Sequence, residues 1–278
     1  MSEPSTRSKA EALRQLHRSG DLVVVPNAFD AASARILEVA GFPTVATSSA
    51  AMAWTAGHPD GEQVPFETAL ELHARVARAV AVPVSVDFEG GYVADSGGIE
   101  ATIEALADAG VAGVGLEDTS FSDAGGLNAP EAHAELIAQA RATTERLGVP
   151  LFINGRTDVF FREVGPPEGR AEEAARRLAA HAAAGADCAF APGIADPSDI
   201  ALLVERLPVP LNVMYTPSMP GVSELRRLGV GRLTFGAWLY MAALGTVEEV
   251  AKELRSDDLK ELQRRTRLSR EARQAITN

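Results

Sequence analysis

Four acidic side chains have the spacing of a divalent-metal site. Asp87 and Glu89 follow a β-branched run with one residue between them, so both point to the same side of an extended chain. Glu117 ends the next such run, and Asp60 lies in the loop GHPDG. Carboxylates gathered in one place repel one another unless a cation lies among them, and hard oxygen ligands suit Mg²⁺ or Mn²⁺ rather than zinc. The pattern predicts metal ligands at Asp87, Glu89 and Glu117.

Arg156 is the basic counterpart of this acidic cluster. It ends another β-branched run, and its planar fork suits bidentate binding of a carboxylate or phosphate. We predict catalytic roles for Arg156, Asp60 and Glu117. The alternatives are that Arg156 forms an ion pair with Asp158 or Glu117, and that some of the acidic residues cap helices.

Small residues at the end of the second β-branched run could bind a substrate anion. Ser48, Ser49 and Ala50 follow Thr47, and such a turn can aim backbone N–H groups at an anion. A simple tight turn fits the same spacing. Asn212, a polar residue near the end of a later run, is a further predicted substrate contact.

The cysteine and the histidines give no support for covalent catalysis. Cys188 begins a β-branched run with no obvious base beside it, which favours an inert buried thiol. His58 shares the loop of Asp60, whereas the other four histidines fall in helical stretches and are expected on the surface or in the core. No nucleophile elbow, P-loop or dinucleotide fingerprint occurs in the sequence.

Repeated strand and helix patterns must position these residues. Short β-branched runs alternate with longer Ala, Leu, Glu and Arg segments of helical period, which is typical of βα units and a parallel sheet. The predicted strands cover 22–26, 43–47, 83–87, 112–117, 150–155, 188–192, 209–213 and 231–235. Eight units predict an α/β fold of the (β/α)₈ TIM barrel type, whose catalytic groups lie at the carboxyl ends of its strands.

Glycines and prolines support the strand count. Helices that precede every second strand end in a glycine that suits the left-handed cap position, namely Gly41, Gly110, Gly185 and Gly229. The strands between them open with Val-Pro, which is tolerated at the start of a strand. An open doubly wound sheet would have fewer strands and a glycine-rich first turn, whereas this first turn reads PNAFDAAS.

Composition limits the class of protein. The 278 residues carry a formal net charge of −12, which opposes nucleic-acid binding. The single cysteine excludes an internal disulfide framework, and no apolar run reaches the length of a membrane span. With a polar N-terminus as well, these features predict a cytoplasmic protein. We expect one catalytic barrel domain over 1–254 and a charged helical extension over 255–278.

The sequence resembles the isocitrate lyase and phosphoenolpyruvate mutase superfamily over most of its length. The motifs that carry the resemblance are, in order, PNAFDAASARILEVAGF, TSSAAMAW, GHPDGE, VPVSVDFEGGY, GVGLEDTSF, FINGRTD and ADPSDI. The resemblance implies a barrel with an essential Mg²⁺ anchored by Asp87. It also implies that Glu89, Glu117 and Asp60 join the metal directly or through water.

The resemblance further implies a pyruvate-like ligand. Ser48, Ser49 and Ala50 would hold its 2-oxo acid end, and Arg156 would grip a carboxylate. A bound Mg²⁺ then acts as a Lewis acid that stabilises an enolate while a C–C or P–C bond breaks. Superfamily members are commonly tetramers that exchange a C-terminal helix, so residues 255–278 are expected at an interface of a homo-tetramer or dimer.

Three departures from the superfamily pattern reduce the number of reactions that the chain could catalyse. The lyases have a Lys-Lys-Cys-Gly-His type loop after the fourth strand, whose cysteine is the general acid, whereas this chain has TSFSDAGGLNAP. Phosphonomutases and phosphonopyruvate hydrolases place Lys and Asn in this loop, where we read Asp123 and Gly125. Met241 stands at the lyases' second arginine, and Ala46 at an often aromatic position. These departures disfavour phosphoryl chemistry and tricarboxylate substrates.

Three hypotheses follow. The leading one is a Mg²⁺-dependent lyase that cleaves a C–C bond of a small 2-oxo or 2-hydroxy dicarboxylate by retro-aldol cleavage, decarboxylation or hydrolysis. Decarboxylation needs the fewest groups, because water can protonate the enolate. The alternatives are a phosphoenolpyruvate or carboxyphosphoenolpyruvate phosphonomutase, and a non-catalytic binder of 2-oxo acids.

Overall fold

The chain folds into a nearly closed barrel of parallel strands surrounded by helices. The computed structural model describes residues 4–121, 126–255 and 259–277. Its strands are β1 Val23–Val25, β2 Asn27–Ala28, β3 Val45–Thr47, β4 Val84–Asp87, β5 Gly113–Glu117, β6 Phe152–Arg156, β7 Cys188–Ala191, β8 Leu211–Met214 and β9 Arg232–Thr234. Within the described ranges these nine strands form one sheet in the order β1-β9-β8-β7-β6-β5-β4-β3-β2. The predicted TIM-barrel class is confirmed.

A short strand that was not predicted, β2, follows the first predicted strand, 22–26, which is observed as β1. β1 pairs with β9 and β2 pairs with β3, and Pro26 between them has no N–H to extend a ladder. The Nδ2 of Asn27 donates to Thr47 O at 2.6 Å, and its Oδ1 accepts from Phe235 N at 2.7 Å. The described sheet therefore has one strand more than predicted, and a side-chain amide joins its first and last parts.

The helices alternate with the strands along the chain. They are α1 Thr6–Arg18, α2 Ala31–Val39, α3 Ser49–Thr55, α4 Phe66–Ala79, α5 Val93–Ser96, α6 Ile99–Asp108, α7 Pro130–Leu147, α8 Arg170–Ala183, α9 Pro197–Arg206, α10 Val222–Leu228, α11 Trp238–Leu254, α12 Lys260–Arg265 and α13 Arg270–Thr277, with a short 3-10 helix at Pro167–Gly169. The predicted left-handed glycines are confirmed by φ values of +90°, +86°, +107° and +86° at Gly41, Gly110, Gly185 and Gly229. In the part of the chain that the structure describes, no helix is long and apolar enough to cross a membrane.

α1 closes the amino-terminal end of the barrel. Its Leu13 is fully buried in a cluster with Ala112, Phe152 and Cys188. The ring of His17 lies 4.4 Å from that of Phe152, centroid to centroid. The mouth formed by the carboxyl ends of the strands is consequently the end available to a substrate.

The C-terminal helices differ in their packing. α13 packs against α2, where Ala272 is buried and Arg35 Nη1 donates to Ala275 O at 3.3 Å. α11 exposes Trp238, Met241, Leu244 and Val247. Part of the predicted extension thus packs on its own barrel, while its place at an oligomer interface stays a prediction. The loop residues Asp123 and Gly125 lie outside the described residues.

Candidate active site

A cavity of about 410 Å³ lies at the mouth of the barrel. Its lining divides into two parts. One part is formed by Ser48, Ser49, Ala50, Asp60, Asp87 and Arg156, and the other by Trp54, Phe161, Met214, Gly236, Ala237, Trp238 and Met241. The structure therefore brings the predicted small-residue turn, two of the four acidic residues and the predicted arginine to one place.

Asp87 ends β4 and presents its carboxylate to this cavity, with 23% of its side chain exposed. Ser49 Oγ donates to Asp87 Oδ2 at 3.2 Å, and Ser49 N lies 3.4 Å from the same oxygen. The backbone N–H of Asp87 donates to Thr47 Oγ1 at 3.1 Å. Across the described residues no hydrogen bond reaches Asp87 Oδ1. One oxygen is thus held by the protein and the other is free to bind a cation.

Arg156 lies at the end of β6 with its guanidinium held by three carboxylates. Its Nε and Nη2 donate to Asp158 at 2.6 and 2.9 Å. Its Nη1 lies 2.6 Å from Glu117 Oε2 and 3.7 Å from Asp87 Oδ2. Burial lowers the pKa of Arg156. The charges of Glu117, Asp158 and Asp87 outweigh this effect and raise the pKa well above its usual range.

The bidentate edge of Arg156 is paired within the protein. The bidentate edge predicted for a substrate carboxylate is occupied by Asp158, which is the ion pair that the sequence left open as an alternative. Phe161 and Phe190 cover the guanidinium, with Cζ at 5.5 and 5.7 Å from their ring centroids. Nη1 is therefore the part of Arg156 that is directed towards Asp87.

Glu89 and Glu117 are committed to protein groups. Glu89 accepts hydrogen bonds from Glu62 N and, at 3.0 Å, from the hydroxyl of Tyr92. Burial and the charges of Asp60 and Asp87 raise the pKa of Glu89 to about 7. Glu117 contacts Arg156, as described above. Both carboxylates thus have partners within the protein, and both interact electrostatically with Asp87.

The assignment of Asp87, Glu89 and Glu117 as metal ligands stays a prediction. Over the ranges that the structure describes, no group of three His, Cys, Asp or Glu side chains is placed to hold a metal ion. The physical reason is that Glu89 and Glu117 satisfy their buried carboxylates with donors from the protein.

Asp60 reaches the same cavity from the loop before α4. Desolvation by neighbouring protein atoms raises the pKa of Asp60, and the nearby charge of Asp87 adds to this effect. The Ser49 hydroxyl and Arg156 act in the opposite direction. Asp60 thus belongs to the electrostatic environment of Asp87, as its position in the GHPDG loop predicted.

These residues fit a magnesium ion that keeps most of its water. Mg²⁺ commonly binds through one or two carboxylates plus waters and substrate oxygens. Asp87 offers the uncommitted oxygen, and Asp60, Glu89 and Glu117 offer carboxylates that can accept from metal-bound water. All the donor atoms that these four side chains offer are carboxylate oxygens, which agrees with a hard cation.

Other predicted residues have structural contacts. Asn212 is buried inside the barrel, where its Oδ1 accepts from Thr234 Oγ1 at 3.3 Å, and it does not line the mouth cavity. Its role in substrate binding stays a prediction. Cys188 is fully buried, and burial raises the pKa of its thiol to about 12, as expected of an inert residue. The helical histidines His17, His73, His133 and His181 are all buried.

Sequence reasoning missed the residues that fix Glu89. Glu62 and Tyr92 supply its donors, and Glu62 also accepts from Tyr92 N at 2.7 Å. Glu62, Glu89 and Tyr92 have φ values of 52°, 54° and 52°, in the left-handed region that non-glycine residues rarely adopt. Only the short spacing within GHPDGE and DFEGGY gave a signal that these residues act together.

Comparisons with known proteins identify the family of the chain. A family model described as Phosphoenolpyruvate phosphomutase matches residues 13–255. An uncharacterised protein of Mycobacterium tuberculosis is 30% identical over 242 residues, which is 87% of this chain and 88% of that protein. An oxaloacetate decarboxylase of a Bradyrhizobium species is 32% identical over 257 residues, which is 90% of this chain and 86% of that protein.

A solved structure shows the same architecture. The crystal structure of phosphonopyruvate hydrolase with oxalate and Mg²⁺ is 25% identical with a TM-score of 0.82, and covers 97% of this chain and 95% of that one. The family match extends over almost the whole barrel and includes each residue of the mouth cavity. The chain therefore belongs to the phosphoenolpyruvate phosphomutase family and is an enzyme of the superfamily that this family shares with the isocitrate lyases.

Proposed function

We propose that the chain is a Mg²⁺-dependent carbon–carbon lyase of a small 2-oxo dicarboxylate, and that it decarboxylates an oxaloacetate-like acid. The observation that carries the proposal is that the mouth cavity is lined both by polar groups, among them Asp87, and by apolar groups, among them Trp238, which are here called its polar half and its apolar half. The 2-oxo acid end of the substrate fits the first half. The carboxylate that leaves as CO₂ fits the second.

The polar half binds and orients the 2-oxo acid. Ser49 holds Asp87 by its hydroxyl, which fixes the direction of the free carboxylate oxygen. A Mg²⁺ bound there would supply a Lewis acid for the 2-oxo group. Nη1 of Arg156 adds a fixed positive charge on the same side, and Asp158 prevents the guanidinium from turning away.

The apolar half favours loss of charge from the leaving carboxylate. Phe161, Trp238 and Met241 present aromatic and thioether surface, and Arg156 is the single cationic side chain that lines the described part of the cavity. A carboxylate placed against such a surface loses part of its hydration, whereas neutral CO₂ does not need it. Retro-aldol cleavage or C–C hydrolysis would use the same polar half but requires a further acid or base.

Relatives support this choice. The Bradyrhizobium relative is named an oxaloacetate decarboxylase, and the phosphonopyruvate hydrolase structure contains oxalate and Mg²⁺. Both names describe small 2-oxo acids or their analogues as ligands of those proteins. The same chemistry fits the two halves of the cavity in this chain.

The proposal is tested by product analysis. Purified protein with Mg²⁺ is given oxaloacetate, malate and citrate analogues, and pyruvate, acetate and oxalate are measured against protein-free Mg²⁺ and against chelator. We expect pyruvate from an oxaloacetate-like acid, lost in Asp87→Asn and kept in Asp108→Asn, which makes the same change at an exposed site at the end of α6. Acetate plus oxalate would indicate hydrolysis instead, and no 2-oxo acid from any substrate would refute a lyase.

A phosphonomutase is the second candidate, and the family match is the observation that favours it. A phosphonomutase would bind the pyruvyl part of its substrate in the same polar half of the mouth cavity. Phosphorus NMR distinguishes the two, because a mutase converts phosphoenolpyruvate into a species with a new P–C resonance. A lyase leaves the phosphoenolpyruvate spectrum unchanged.

We also propose that the protein is a homo-oligomer in which α11 contributes to the interface. This helix exposes Met241, Leu244 and Val247, which is unusual for a helix of a monomeric barrel. Light scattering on the wild type and on Leu244→Glu tests the proposal. A smaller particle for the variant supports it, and a monomeric wild type refutes it.

A further inference from the structure

The barrel contains a buried cation that no carboxylate of the described residues neutralises. Arg232 on β9 is 1% exposed and is among the largest fully buried side chains. Its Cζ lies 5.8 Å from the ring centroid of Phe152, and its Nη1 lies 3.5 Å from His17 Nε2. Within residues 4–121, 126–255 and 259–277, no Asp or Glu forms an ion pair with it.

His17 accepts a hydrogen bond from Arg232 but does not compensate its charge. The Nδ1 of His17 lies 2.8 Å from Leu13 O and must carry a proton to donate to this carbonyl, so Nε2 has the lone pair. Burial and the charge of Arg232 lower the pKa of His17 to about 3. At neutral pH the imidazole is uncharged.

Cys188 also stays neutral beside Arg232. Its thiol donates to Pro210 O at 3.1 Å, and burial raises its pKa to about 12 although Arg232 acts in the opposite direction. Burial lowers the pKa of Arg232 to about 10, which still leaves the guanidinium charged at neutral pH. An isolated buried charge is strongly unfavourable, so a counter-ion is needed.

A small chamber inside the barrel provides the space for one. This central chamber has a volume of about 40 Å³, and Asn27, Ser85, Asn154, Asn212, Arg232 and Thr234 are among its lining residues. Three buried polar atoms of this lining have no hydrogen-bond partner, namely Arg232 Nε, Asn212 Nδ2 and Asn154 Oδ1. Thr234 Oγ1 lies 3.3 Å from Asn212 Oδ1 and 3.4 Å from Val213 O, and the N–H₂ group of Asn212 is left as the donor without a partner.

Arg232 and Asn212 line the chamber but not the mouth cavity. Arg232 contacts Phe152 at the start of β6, whereas Arg156 ends the same strand four residues later. Four residues of a parallel strand span about 13 Å. The chamber and the mouth cavity adjoin, because Asp87, Arg156, Met214 and Gly236 line both.

We propose that the central chamber binds a small monovalent inorganic anion of the size of chloride, held by Arg232 Nε and Asn212 Nδ2. One water occupies roughly 10–15 Å³ by the same measure, so the chamber has room for the ion and one or two waters. Asn154 Oδ1 is an acceptor and takes a hydrogen bond from a water beside the ion. The anion neutralises the guanidinium and stabilises the closed barrel.

Bromide crystallography tests the proposal directly. Crystals of the wild-type protein grown with sodium bromide should give an anomalous peak within the central chamber, in contact with Arg232 and Asn212. A chamber that contains only water density, with no anomalous signal at high bromide, would overturn the proposal.

Thermal unfolding provides the solution test. At fixed ionic strength, sodium chloride in place of sodium gluconate should raise the Tm of the wild type saturably, by about 3–5 °C at ten times Kd. Asn212→Asp places a negative charge in the chamber and should remove the response, as should Arg232→Met if it folds. Arg226→Met removes an exposed arginine of α10, and this variant should show the same chloride response as the wild type. An equal chloride response in Asn212→Asp and the wild type would contradict the site.

Discussion

Replacement of Asp158 by Asn should weaken both the fold and the proposed chemistry. The Asp158 side chain is 1% exposed and accepts from Arg156 Nε and Nη2 and, at 2.7 Å, from Thr119 Oγ1. An asparagine can accept from one guanidinium nitrogen, but its N–H₂ group would face the other donor. Loss of one partner of a buried ion pair costs about 3–5 kcal/mol, so we expect Tm to fall by roughly 6–20 °C.

The effect on activity follows from the orientation of Arg156. Without the bidentate contact, Nη1 is no longer fixed beside Asp87, and a charged hydrogen bond of this kind contributes about 1.5–3 kcal/mol. That corresponds to a loss of about 10- to 150-fold in kcat/KM. The assay is pyruvate release at a temperature at which circular dichroism shows the variant to be folded.

Asp118→Asn is the matched control. Asp118 is equally buried and accepts from Thr157 Oγ1, Asp158 N and Arg177 Nη1. Its backbone N–H donates to Arg156 O at 3.2 Å, but among the described residues the guanidinium of Arg156 is held by Asp158, Glu117 and Asp87 and not by the Asp118 carboxylate. We expect a comparable loss of stability with kcat/KM within a few-fold of the wild type. Equal losses of activity in the two variants, or none in Asp158→Asn, would refute the positioning role.

Three further predictions concern single residues. Asp87→Ala should abolish Mg²⁺ binding by calorimetry and pyruvate release while Tm changes little, because the side chain is partly exposed; Mg²⁺-dependent turnover of this variant would contradict the assignment. Arg156→Lys should raise KM and lower Tm, since one ammonium cannot contact Glu117 and Asp158 as the guanidinium does; unchanged kinetics and Tm would count against this. Burial lowers the pKa of His181 to about 2. The neutral imidazole therefore contributes fully to the free energy of unfolding above pH 6.5, and this contribution decreases by about 1.4 kcal/mol for each pH unit below 6.5. His181→Leu should therefore flatten the dependence of the urea midpoint on pH between 6.5 and 4.5, and an unaltered slope would contradict the burial argument.

The barrel was predictable because local and global signals agree. Alternation of strand and helix, the cap glycines and the Val-Pro junctions all indicate the same eight units. The short strand β2 after Pro26 was not predicted, because two residues give no strand pattern of their own and their pairing depends on the neighbouring strand β3. α1 was missed because its few buried residues, such as Leu13, are scattered in a polar segment.

The candidate site was predictable as a set of residues but not as a set of contacts. Asp87 and Arg156 were placed correctly at the mouth, because strand ends fix where a side chain starts. The direction in which Glu89 turns depends on left-handed backbone at Glu62 and Tyr92, which residue type alone does not reveal. Arg156 and Asp158 have the spacing for a contact along one strand, but only the fold shows that this contact uses the bidentate edge.

The amide of Asn27 has a consequence for biosynthesis. It joins Thr47 to Phe235, which lies 208 positions after Asn27. A nascent polypeptide cannot close this ring until its last strand has left the ribosome, and long-range closure of this kind is slow. Until then β1 lacks its partner β9, so growing chains present an open strand edge that favours aggregation or chaperone binding.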